Sequence, residues 1–391
     1  MLSSNLMRRI FSLALANTAS ALHYFLVAVI ASSYIGTFLP ASQVGLVFSL
    51  SAALMILGFV LAPFALTHLS VRRIAFLLGV FDLVTLLMLA ANPPAVLAIL
   101  LIALQGALAP LIGYMLDLFL ENATSDEGTT GHMRGLFLTS GNIALVAAPL
   151  LIGIFLDATN NYARIFLASA ATLGVFMFII VTRKRHLADR KLLSAAPLLN
   201  TLHCLFFNRE TRSVLIAQTF LQSLFVWSSL YIPLYLHATL GIEWLALGPV
   251  FALMMLPSLL IELPMGFVED RIRGARVIMA CGFLIAGISF MAIALIAGTT
   301  SLGVAATILV LSRVGAALVE VTSETSFFRS VDGRDTESVS FFRMTRPIAR
   351  LIAPLITSPL LLFVPLKLVF VPIGGLLLLG IPFAFRIRKG A

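Results

Sequence analysis

Apolar residues run along this chain in long blocks rather than in alternation. Segments such as Val96 to Ala109 and Leu361 to Leu379 carry a single polar side chain each and apolar residues on every helical face. Neither shows the two-residue period of a membrane barrel strand. A block of roughly 20 apolar residues crosses a bilayer as a helix, the form that satisfies each backbone polar group internally. Divided at their polar, Pro and Gly breaks, the blocks predict twelve helices, near residues 10–39, 41–66, 74–91, 95–120, 133–156, 162–182, 213–240, 244–268, 275–297, 301–328, 337–363 and 367–386. The expected fold class is an all-α polytopic membrane protein with two pseudo-symmetric bundles of six transmembrane helices.

Composition agrees with this pattern. Of 391 residues, 60% are apolar and 11% charged, whereas soluble domains have about 45–50% and about 25%. A water-soluble globular fold is excluded. The excess of 26 Lys and Arg over 17 Asp and Glu lies mostly in breaks at alternate helix ends: Arg8 and Arg9, Arg72 and Arg73, Arg183 to Lys191, Arg271 to Arg276, and Arg386 to Lys389. That is the distribution of inward loops, so the charge reports topology rather than a nucleic-acid partner. Both termini are expected in the cytoplasm and the protein in a plasma (inner) membrane. The first apolar block continues to Leu39, too long for the core of a secretory signal. Cys204 and Cys281 make neither a disulfide framework nor a metal cluster, and no metal or cofactor is expected.

The longest break, Arg183 to Arg212, divides the chain into residues 1–182, a cytoplasmic linker 183–212, and residues 213–391. The linker's basic run and the semi-apolar stretch Leu198 to Phe207 suit either a segment lying on anionic lipid or a solvated connection. A weak repeat relates the two halves. Asp117 and Glu121 end the fourth block as Glu320 and Glu324 end the tenth, and Ala148-Pro149-Leu150-Leu151 in the fifth resembles Ala353-Pro354-Leu355-Ile356 in the eleventh. Parallel six-helix repeats imply two bundles about an axis along the membrane normal, with a solute site at mid-depth.

Twelve helices in two halves, a basic central loop, inward termini and the run Pro264-Met265-Gly266-Phe267-Val268-Glu269-Asp270-Arg271-Ile272-Arg273-Gly274-Ala275-Arg276 resemble the major facilitator superfamily. That run is similar to the family's loop motif G-x-x-x-D-R-x-G-x-R, with one extra residue before Gly274. The corresponding first-half loop, Pro63 to Arg73, is degenerate: Thr67 and His68 stand where an acid is expected. The resemblance implies a secondary transporter working by alternating access, not an enzyme. It also implies that Gly266, Asp270, Arg271, Gly274 and Arg276 form a cytoplasmic gate, although the same arginines would serve equally as a topology signal.

Charges inside spans carry the remaining signal, because an ionisable side chain in lipid costs at least about 2.5–3.5 kcal/mol and turns toward protein or water. Arg313 and Arg350 fall near mid-depth, with Arg346 one turn closer to the cytoplasm. Arg343, Arg346 and Arg350 share one helical face, and Arg313 shares a face with Glu320. Such a stripe either pairs with acids to lock the bundle or presents forked donors to an anionic solute. The pairs Asp117/Glu121 and Glu320/Glu324 place carboxyls one turn apart, where a bound proton relieves their repulsion. Asp117 and Glu320, the deeper members, are the stronger proton-coupling candidates, and Glu121 and Glu324 suit solvated or salt-bridged roles. Glu262 and Asp82 inside spans serve either function or structure.

In the family resembled, the first, fourth, seventh and tenth helices line the cavity. This implies that His23, Tyr24, Gln105, Tyr114, Gln218, Gln222, Trp227 and Tyr231 offer groups to solute, while Tyr34 and Tyr235 suit interfacial anchors. In the fifth block, Pro149 and Gly153 retain part of an antiporter pattern that helix packing explains equally well. No Walker loop or Ser/Cys-His constellation appears. The expected function is proton-coupled movement of a small anionic or amphipathic solute by a monomer among membrane lipids, in the direction of efflux. Proton-coupled uptake, lipid transport, and a non-transporting sensor or scaffold are the alternatives.

Overall fold

The computed structural model describes residues 4–123, 130–156, 161–183, 209–268, 274–330 and 336–387. Most of the expected linker 183–212 lies outside them, as do Asp270 and Arg271. The helices are α1 (Ser4–Gly36), α2 (Ala41–His68), α3 (Val71–Ala90), α4 (Ala95–Ala123), α5 (Thr130–Leu156), α6 (Tyr162–Thr182), α7 (Arg209–Pro233), α8 (Trp244–Val268), α9 (Ala275–Ile293), α10 (Leu302–Ser330), α11 (Thr336–Phe363), α12 (Leu366–Leu378) and the short α13 (Gly380–Phe385). Among the described residues no strand occurs, and twelve spans are long and apolar enough to cross a membrane. Phe81, Phe178, Leu295 and Phe363 are among many large apolar side chains left exposed. In a bilayer these meet acyl chains rather than water.

Local chemistry sets the breaks. Asn92, with φ of 53°, turns the chain between α3 and α4, and Pro94 ends its linker with a carbonyl that accepts from Ala98 N. Asn161 caps α6 by accepting from Ala163 N at 3.2 Å, and Gly241 takes a φ of 70° after the seventh span. Three details depart from an uninterrupted reading of the apolar blocks. After Pro233, residues Leu234–Thr239 widen into a π-helix. The ninth block stops being α-helical at Ile293, where Ile296 O accepts from the Tyr235 hydroxyl at 2.5 Å. The twelfth is interrupted at Leu379. Gly380 then packs against Phe283, whose ring atoms would lie 2.6 Å from any Cβ placed there.

The chain forms two compact units: residues 1–39, 50–195 and 243–252 in the first, and 40–49, 196–242 and 253–391 in the second. In the first, α1 packs on α4, α5 and α6, and α3 on α4 and α6. In the second, α9 packs on α10 and α12, and α7 on α10 and α11. The α9–α10 crossing is backbone against backbone: a Cβ on Gly315 would stand 2.5 Å from Ala286 N and 2.6 Å from Gly282 O. No flexible side chain is there to swing aside. Gly315→Ala is therefore expected to lower stability by about 1–3 kcal/mol. Thermal unfolding of the detergent-solubilised protein measures this; an unchanged midpoint would mean that the crossing is looser than described.

Candidate functional site

In the first unit α1 is tied to α5 near one end and reaches polar partners at its centre. Asn17 Nδ2 donates to Phe137 O at 2.7 Å and to Ser140 Oγ at 3.0 Å, and Thr18 Oγ1 donates to Ser140 O at 3.2 Å. Midway along the span, His23 Nε2 lies 2.8 Å from Asp82 Oδ2 of α3, and its Nδ1 lies 2.7 Å from Ser169 Oγ of α6. All three side chains are fully buried. Tyr24 is half-buried and its ring sits against Phe25.

On α4, Gln105 is buried, and its Nε2 has no hydrogen-bond partner among the described residues. Two turns farther, the half-buried Tyr114 meets the Phe59 ring edge-on at 5.5 Å. Asp117 is half-buried and Glu121 exposed. The helix thus carries an unspent amide donor, a phenol and a carboxyl along its length.

The second unit gathers polar groups from α7, α8, α10 and α11. On α7, Gln218 Oε1 accepts from Ser323 Oγ of α10 at 2.7 Å, while one turn on the buried Gln222 keeps an Nε2 with no partner among the described residues. Trp227 Nε1 donates to Thr357 Oγ1 of α11 at 2.8 Å and approaches Ala353 O at 3.2 Å. Tyr231 is buried with its hydroxyl beside Ser358 and Gly45, where a Cβ on Gly45 would stand 2.6 Å from that oxygen.

Arg313 of α10 is half-buried. Its Nε donates to Ser258 Oγ of α8 at 2.8 Å, and its guanidinium carbon sits 4.3 Å from the centre of the Phe225 ring of α7. The hydroxyl and the ring fix the plane of a permanently charged group, and the ring face itself attracts the cation. Glu320, two turns along the same helix, and Glu324 are half-buried, as is Arg350; Arg346 is exposed. The side chains of Glu262 and Arg343 lie outside the described residues.

Two partners of Arg313, Ser258 and Phe225, were not legible in the sequence. A serine and a phenylalanine in apolar runs carry no signal until helix packing sets them beside the charge. The His23–Asp82–Ser169 cluster was equally hidden as a unit. Its available clue was that a histidine and an aspartate, His23 and Asp82, each stand in the middle of an otherwise apolar span.

Of the expected gate, Gly266 belongs to α8, and Gly274 precedes α9 with φ of −123°, a backbone any residue adopts. Gly274 O accepts from Val277 N and Ile278 N, and Arg276 is half-buried in the first turn of α9. In α5, Pro149 and Gly153 meet the start of α8: a Cβ on Gly153 would lie 3.0 Å from Trp244 O, and one on Gly248 would lie 2.7 Å from Pro149 O. The retained Pro and Gly therefore serve a close backbone crossing within the first unit.

Twelve helices long and apolar enough to cross a membrane, with no strand among the described residues, define a polytopic α-helical integral membrane protein. The chain belongs to the Major Facilitator Superfamily, whose family model matches residues 11–354. No curated protein sequence matches it. Among solved structures it is similar to a mutant form of the nucleoside transporter NupG, with a TM-score of 0.77, 15% identity, and coverage of 97% of this chain and 100% of that one. It is also similar to a POT family transporter in complex with a thioalcohol-conjugated peptide, with a TM-score of 0.77, 12% identity, and coverage of 96% and 95%. At those identities the likeness is one of fold. Family and fold together make the protein a secondary transporter of a small molecule, not an enzyme.

Proposed function

We propose that the protein is a proton-coupled exchanger that moves a small solute bearing an anionic or strongly hydrogen-bond-accepting group. In this reading residues 1–182 and 213–391 are the two bundles that alternate access, the termini are cytoplasmic, and the protein works as a monomer in the plasma membrane. The observation that carries the solute class is Arg313. It stands eleven residues into the span Leu302–Phe327, roughly 17 Å deep at 1.5 Å per residue, with its guanidinium oriented by Ser258 and Phe225. Arg350 adds a second half-buried cation on α11, and Gln222 of α7 supplies a buried donor within the same unit. Asp117 and Glu320 are the carboxyls proposed to exchange the coupled proton near the inner mouth. The direction proposed is efflux, with solute leaving as protons enter.

The test is a thermal-shift screen of purified protein against small carboxylates, phosphate monoesters and quaternary ammonium compounds, since a binder of the folded state stabilises it by mass action. The anions are expected to stabilise the protein. Arg313→Gln is expected to weaken that binding by about 1.5–3 kcal/mol, the worth of a hydrogen bond to a charged group. Preferential binding of permanent cations, unaffected by Arg313→Gln or Arg350→Ala, would overturn the solute class.

A further inference from the structure

The cluster of His23, Asp82 and Ser169 stands where a membrane protein has least reason to bury polar groups. His23 is midway along Phe11–Ile35, roughly 18 Å from either end. Asp82 and Ser169 meet it from α3 and α6, and none of the three is exposed. Asp82 Oδ1 has no hydrogen-bond partner among the described residues. Burying a carboxyl this completely costs least when the cluster around it is electrically neutral overall.

Counting protons shows how neutrality is met. Ser169 has one hydroxyl proton, and Ser169 Oγ donates to the carbonyl of His23 at 2.9 Å. Its lone pairs therefore face His23 Nδ1 at 2.7 Å, so Nδ1 carries a proton. The 2.8 Å contact between Nε2 and Asp82 Oδ2 needs one more, held either as imidazolium against carboxylate or as imidazole against carboxylic acid. Both forms are neutral, and both hold one proton more than a neutral histidine beside a carboxylate.

Losing that proton rearranges the whole cluster. Ser169 must turn from the His23 carbonyl to donate to Nδ1, the remaining imidazole proton moves to Nε2 to face Asp82, and the site becomes an anion. Helices α4, α5 and α6 pack on α1, and α4 and α6 on α3. The ionisable side chains described on these elements are Tyr114, Asp117 and Glu121 on α4, Tyr162 and Arg164 on α6, Tyr24 and Tyr34 on α1, and Arg72 and Arg73 on α3. None of them hydrogen-bonds to His23 or Asp82. The anion thus has no cation in contact among the described residues and must take up water, which requires α1 to separate from α3 and α6.

We propose that His23, Asp82 and Ser169 form a proton-binding site at mid-membrane, whose bound proton holds α1 against α3 and α6 and whose release opens that packing. The inference rests on the proton coupling proposed above and gives it a station deeper than Asp117.

The experiment uses the full chain reconstituted in liposomes, with protons as the only ligand. Infrared difference spectra follow carboxyl and imidazole bands as pH is raised. In parallel, spin labels on Phe11→Cys of α1 and Phe178→Cys of α6, in a Cys204→Ser, Cys281→Ser background, report the separation of the two helices. The wild-type bands are expected to titrate as one proton, with the distance lengthening at the same midpoint. Asp82→Asn, permanently neutral, is expected to abolish the band and keep the short distance at every pH. Should Asp82→Asn not fold, Ser169→Ala removes the acceptor of Nδ1 and is expected to weaken proton binding, moving the midpoint of both readouts together. A band insensitive to both variants, or a distance indifferent to pH, would overturn the site. Neither readout involves solute. Titration as expected without proton-coupled flux would therefore fail the proposed function and keep the site, whereas coupled flux with no such titration would do the reverse.

Discussion

Gradient-driven accumulation of solute is expected to disappear when Asp117 and Glu320 are neutralised together to Asn and Gln, while exchange of solute across the membrane continues. Both carboxyls are half-buried, Asp117 one turn from the end of the span Ala95–Glu121, with Glu121 and Glu324 one turn beyond them. A carboxyl placed there can take a proton from the aqueous side and still be drawn into the helix bundle. Neutral substitutes keep size and hydrogen bonding but carry no removable charge, so the solute still binds and crosses while the imposed pH gradient no longer does work on it. Proteoliposomes separate the two processes: counterflow reads exchange, and uptake under an imposed pH gradient reads coupling. Unaltered accumulation in the double variant would reject both residues as carriers.

The largest effect on stability is expected from Trp227→Ala, about 3–5 kcal/mol, the usual cost of emptying a large aromatic site in a packed core. The indole is 2% exposed and its N–H binds Thr357 and Ala353, so it ties α7 to α11. Thr357 Oγ1 itself donates to Ala353 O at 2.9 Å. The indole N–H therefore meets a hydroxyl whose only proton is already committed. Size-exclusion-monitored melting in detergent measures the loss, and Trp227→Phe, which keeps most of the volume, is expected to recover the larger part of it. Equal losses in the two variants would instead place the stability in the hydrogen bond.

The helical architecture was legible because lipid imposes a coarse and demanding pattern: a span must be long, apolar and uninterrupted, and Pro40, Asn92-Pro93-Pro94 and Gly241 mark where it stops. Finer features depend on packing between spans. The π-helical turn at Leu234–Thr239 and the early end of α9 at Ile293 lie in apolar sequence that would continue a regular helix equally well. The charges at mid-depth were equally visible, since each is costly in lipid. Their partners were not. His23 and Asp82 are 59 positions apart and Arg313 and Ser258 are 55 apart, and no periodicity along one helix indicates which residue of another will face it.

The central claim is proton-coupled exchange of a solute recognised through Arg313. Its most direct measurement is flux, in proteoliposomes, of the carboxylate or phosphate monoester that most stabilises the purified protein. An imposed pH gradient is expected to drive that anion against its own gradient, a protonophore to abolish the drive, and Arg313→Gln to lower the apparent affinity. Binding of the anion without flux under either direction of pH gradient would contradict the account.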